Sequence, residues 1–161
     1  MQTQNQYLVV LVFAALSSLQ GCGQQVDTAK VQADVTKAEA DGQKKIIDAQ
    51  SKLDQVVAQN NKDIAVLQAD TQKNATNDPN APTTTASADM AKARTGAEAK
   101  VADAQYDVDK TKAEAAEKVA DTRCELQVGD ANKACLTSAK ASYDSAVAMA
   151  KSKSDAAHPV H

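Results

Sequence analysis

The chain has 161 residues, and 43% of them are nominally hydrophobic, yet aromatic residues reach only 2% and alanine is the commonest apolar side chain. Alanine favours helix but buries little area, which excludes a domain built on one large core and points to thin helices meeting along narrow seams. The 18 basic and 21 acidic residues interleave to a net charge of -3, so neither a clustered nucleic-acid footprint nor a polybasic membrane patch is present.

Residues 7–16 read Tyr-Leu-Val-Val-Leu-Val-Phe-Ala-Ala-Leu, followed by Leu19-Gln20-Gly21-Cys22. An apolar run of that length is too short for a bilayer span, which needs roughly 20 residues, and suits an export signal. Run and tetrad together resemble a bacterial lipoprotein signal peptide with its lipobox. The resemblance implies cleavage between Gly21 and Cys22, a diacylglycerol on the Cys22 thiol, and acylation of the new amino terminus. Gly23, rather than Asp, follows the cysteine; in Gram-negative lipoproteins this resembles the outer-membrane sorting class. The expected order thus begins with a signal peptide at 1–21 and a lipid-anchored tether at 22–28. The expected location is the cell envelope, on the periplasmic side of the membrane.

A first long helix is expected over 29–73, with Asp27 or Thr28 available to cap its free N–H groups. Gly42 is its one interior glycine and marks a soft point, costing roughly 1 kcal/mol relative to alanine. Residues 74–87 read as a Pro/Thr/Asn-rich linker, because Pro79 and Pro82 cannot donate backbone hydrogen bonds and clash with a preceding helical turn. The second helix carries the best-formed pattern, from about Ser87 to Gln127. Ala86, Met90, Ala93, Ala97, Val101, Ala104, Val108, Lys112, Ala115, Val119, Arg123 and Leu126 follow a 4-3-4 spacing. Lys112 and Arg123 interrupt the apolar stripe, and their stems can lie along it. A weaker version runs through Val35, Ala38, Gly42, Ile46, Ala49, Leu53, Val57, Asn60 and Ile64. An eleven-residue repeat keeps a stripe straight or gently right-handed. Antiparallel packing of the two rods and isolated, fluctuating helices both fit this pattern.

Eleven residues separate Cys124 from Cys135, roughly 16 Å on an unbroken helix and too far for a disulfide. A reversal at Gly129-Asp130 removes that obstacle: Gly129 suits a left-handed position after a helix end, and Asp130 suits the N-cap of the next helix. With Cys22 lipidated, the remaining two cysteines form an even pair in an oxidising compartment, and a structural disulfide is expected. The spacing fits neither a zinc pattern nor a Cys-x-x-Cys redox pair. A third helix follows to about Ser154, with Leu136, Ala139, Tyr143, Ala146, Val147 and Ala150 on one face. Residues 88–155 thus form a disulfide-stapled hairpin, and 156–161 a frayed tail. The segment Cys124–Ala141 also resembles a paired-cysteine hairpin of uncharacterised exported proteobacterial proteins, which implies architecture rather than activity.

The fold class expected is all-α: an elongated rod or hairpin of two long helices plus a shorter third, with a stapled αα-turn. No catalytic motif, phosphate loop or metal-ligand pattern is present in the sequence, and the only histidines are His158 and His161. We therefore expect no enzyme, no cofactor, no metal and no small-molecule substrate. Expected partners are the membrane, through the lipid, and a helical protein or a second copy. The alanine seams are similar to those of the murein lipoproteins, which implies a spacer or scaffold role, although this chain ends in Val160-His161 rather than their wall-linking lysine. The eleven-residue period and hydrophilic composition also resemble late-embryogenesis-abundant proteins, which implies stress protection as the alternative.

Overall fold

A computed structural model of the chain describes residues 26–77 and 83–158. Among these the protein is all-α, with α1 over Thr28–Asn77, α2 over Thr83–Cys124 and α3 over Gly129–Asp155. At 1.5 Å per residue, the 50 residues of α1 extend about 75 Å. The linker is shorter than expected, since helix continues to Asn77 and resumes at Thr83. The order of residues around the prolines accounts for these limits. A residue that precedes proline, as Asp78 precedes Pro79, disfavours the helical region, whereas a proline directly ahead of a first turn, as Pro82 is in sequence, forfeits no N–H that the helix needs. Asn74 and Thr85 carry only mild helix penalties and do not interrupt.

The first helix starts on a side-chain cap. Asp27 Oδ1 accepts the backbone N–H of Lys30 at 3.0 Å, and the Asp27 carbonyl accepts that of Val31 at 3.0 Å. The side chain thus meets one of the otherwise unsatisfied donors of the helix start, and the carbonyl accepts the first helical bond.

Helices α1 and α2 pack antiparallel along their full seam, and α3 folds back on α2 alone. α2 is therefore the helix against which both others pack. Its Val108 is fully buried, and Val31, Val35, Ala38 and Leu53 of α1 are buried along the rod. The expected stripe of α1 holds except at one point: Val57 is exposed and Val56 is half-buried in its place. The steps after Leu53 are three then four rather than four then three, so the stripe returns to its expected place at Asn60.

Two polar or small residues settle the register. Asn60, buried in the seam, donates its Nδ2 hydrogen to the Ala97 carbonyl at 2.9 Å. Gly42 faces Ala115 so closely that a Cβ there would sit 2.8 Å from the alanine methyl. Gly42 is thus a point of closest helix approach, not the soft point expected from propensity.

Candidate functional site: the stapled hairpin and its surroundings

The end of α2 is built by bonds to its last carbonyls. The Thr122, Arg123 and Cys124 carbonyls accept the N–H groups of Glu125, Leu126 and Gln127 at 3.3, 3.1 and 2.9 Å, tightening the final turn. Asn132 of α3 donates its Nδ2 hydrogen to the Cys124 carbonyl at 2.7 Å, so the returning helix caps the outgoing one. Helix α2 consequently stops at Cys124, three residues before the expected Gln127.

Cys124 and Cys135 are joined by a disulfide with a Cα–Cα distance of 5.6 Å. The staple is not symmetric about the bend. Cys124 is the last residue of α2 and fully buried, whereas Cys135 lies well inside α3 and is half-buried. Gly129 adopts φ +63, the left-handed conformation expected for it. Asp130 does not cap α3. The N-cap position is Val128, with φ -125 and ψ 156 and no side-chain cap. Asp130 instead occupies the first turn, where its charge complements the helix dipole and meets Lys133 Nζ at 3.3 Å. Helix α3 begins at Gly129, its N-cap two residues ahead of the one expected, which leaves Asp130 inside the first turn.

The far end of α3 is fastened by a cluster that the sequence pattern did not reveal. Asp103 Oδ1 of α2 accepts the Ser154 hydroxyl at 2.8 Å and meets His158 Nε2 at 2.9 Å. Those two hydrogen bonds, and secondarily the nearby charges of His158 and Lys151, hold the Asp103 carboxyl below its ordinary value, against a smaller opposing effect of burial. His158 is thus engaged rather than frayed. Serine and histidine converge on the same carboxylate oxygen, so the order of groups is that of a clasp and not of a nucleophile activated through histidine. The only sequence signal for it was weak: an aspartate on α2 and a histidine past α3, with nothing to fix their registers.

Between these fastenings, α2 and α3 enclose an open groove of about 690 Å³, floored by Ala113, Ala116 and Ala120 and edged by Ser138, Ser142 and Tyr143. Arg123 Nη2 reaches across to Glu39 Oε1 of α1 at 2.8 Å, as its expected place beside the seam allows. Leu136, expected on the packed face of α3, is instead exposed, while Ala139 and Ala150 are buried there. The packed face of α3 runs through Cys135, Ala139, Tyr143, Val147 and Ala150, so Leu136 lies one residue off it, and Ala146 is exposed as well.

Gly21 and Cys22, the expected cleavage and lipidation residues, lie outside the described residues. Among the described residues, no helix is long and apolar enough to cross a membrane, and no group of three or more His, Cys, Asp or Glu side chains is placed to hold a metal ion. No protein family, curated protein or solved structure matches the chain.

Proposed function

We propose that the protein is a lipid-anchored spacer or scaffold of the bacterial cell envelope, held by Cys22 to a membrane, with its helical rod in the periplasm. The observation that carries this reading is the order of the apolar run 7–16, Gly21 and Cys22, followed within a few residues by the start of a helix of about 75 Å. A disulfide at Cys124–Cys135 supports export, because such bonds persist in oxidising compartments. Gly23 favours the outer membrane as the site of anchoring. The exposed faces of the helices suit a helical partner or a second copy, and the reading assigns the protein no catalysis and no small ligand.

The test is the intact mass of the membrane-extracted protein, with and without reductant. Loss of residues 1–21, a gain of diacylglycerol and acyl mass, and a two-proton change on reduction are expected. A water-soluble, unacylated product of unchanged length would end the proposal.

A stress-protective role similar to late-embryogenesis-abundant proteins is the second reading, favoured by the eleven-residue period of α2. Circular dichroism separates the two. A cooperative helical melt in dilute buffer supports the scaffold, and helix that forms only on drying supports protection.

A further inference from the structure

Two large apolar side chains stand exposed in the turn between α2 and α3: Leu126 is 44% and Val128 is 55% accessible. The α1–α2 register fixes which end of the rod this turn occupies. Gly42 lies against Ala115, and Asn60 reaches Ala97, so each step back along α1 is a step forward along α2. Extended to the last residue of α2, that register brings Ala33 level with Cys124, so the turn that follows lies beside the first residues of α1. Burial agrees: Val31 and Val35 are only 5% and 3% accessible at the end of α1 that lies beyond most of α2. The stapled turn and the beginning of α1 therefore form one end of the molecule.

Cys22 precedes Val26 by four residues, which covalent geometry limits to about 14 Å whatever the path of the chain. An anchor at Cys22 keeps this end, and not the distal end some tens of ångströms away, within reach of the lipid headgroups. We infer that the 125–128 turn is a lipid-contacting tip, in which Leu126 and Val128 enter the interfacial layer of the anchoring membrane. The inference rests on the lipid-anchor reading above. Tethering makes the contact effectively intramolecular, so two apolar side chains suffice where a free protein would need many. The disulfide holds the turn in shape while it is pressed against the bilayer. Glu125, Asp130 and Asp27 surround the tip, against Lys30 and the Asp130-paired Lys133, so zwitterionic headgroups suit it better than anionic ones.

The chain contains no tryptophan, which makes a site-specific probe clean. Full-length acylated protein carrying Leu126→Trp, Val128→Trp or, at the exposed distal residue Val66, Val66→Trp would be reconstituted into phosphatidylethanolamine–phosphatidylcholine vesicles containing brominated lipid. Quenching several-fold stronger for Leu126→Trp and Val128→Trp than for Val66→Trp is expected, and it should weaken when phosphatidylglycerol is added. Flotation of the same samples is read alongside. Protein that floats with vesicles while all three probes are quenched alike, or not at all, overturns the tip. Shielding of the tip probes from aqueous iodide without lipid quenching also overturns it, and indicates a protein covering instead. A Cys22→Ser chain that floats as well as the parent overturns the anchor reading itself.

Discussion

The half of the rod nearest the stapled turn and the half nearest the 78–82 connection are made of the same kinds of residue, yet they hold together differently. In the first, three helices meet, Val108 and Cys124 are fully buried, and a disulfide, the Asn132 cap and the Asp103 clasp tie α3 to α2. In the second, only α1 and α2 meet, and beyond Asn60 the seam residues Ile64, Leu67 and Thr71 are half-buried. An alanine seam removes too little apolar area to hold a long rod by itself. Covalent and hydrogen-bonded fastenings are concentrated where a third helix can use them, and the distal half is the more easily opened.

Breaking the staple tests that contrast most directly. Cys124→Ser with Cys135→Ser should cost about 2–3 kcal/mol, and amide exchange should rise in α3 and the adjoining part of α2 far more than in 60–97. Equal loosening of both halves would erase the distinction. Next in size is the core itself. Val108→Ala should destabilise by about 1–3 kcal/mol in denaturant melts, and Val101→Ala, at a half-buried position, by clearly less.

Two glycines in helix interiors, Gly42 and Gly96, sharpen the comparison through opposite signs. A methyl group added at Gly96 would meet nothing within 4 Å, so Gly96→Ala should stabilise by about 0.5–1 kcal/mol from propensity alone. Gly42→Ala gains the same propensity but drives a methyl into Ala115, and the cost of overpacking, about 1–3 kcal/mol, should make it net destabilising. Thermal melting of both variants reads the signs.

The smallest effect is the clasp. Because the folded Asp103 carboxyl titrates below its ordinary 3.8, its contribution is complete above that pH and is lost as pH falls through the lower folded value. Asp103→Asn should therefore flatten the acid side of the stability profile slightly and leave neutral behaviour of α1 untouched. The side chain is 59% exposed, and solvent screening keeps the effect small. Unfolding curves between about pH 5 and 2.5 would reveal it.

Much of the molecule was legible from residue order. Prolines announced the break between the long helices, the 4-3-4 stripe identified their packed faces except at Val57 and Leu126, and the cysteine spacing around Gly129 implied a reversal. What escaped had local causes of a tertiary kind. Asp130 looked like a cap because aspartate often is one, but the helix starts at Gly129 with Val128 as its N-cap, ahead of it. Leu136 looked in period with the packed face, yet Cys135, drawn to Cys124 by the disulfide, holds that position and leaves Leu136 outside. His158 had no periodic context at all, and only the register of α3 on α2 brought it to Asp103.

Helix formation, helix limits near proline and the opportunity for a disulfide follow from short-range chemistry, since propensity, a missing N–H and an eleven-residue separation act within one segment. Register, close approach and exposure do not, because each depends on which side chain of another helix arrives opposite. Gly42 makes the point: in its own segment it is a weakness, and against Ala115 it is the place where no larger residue fits.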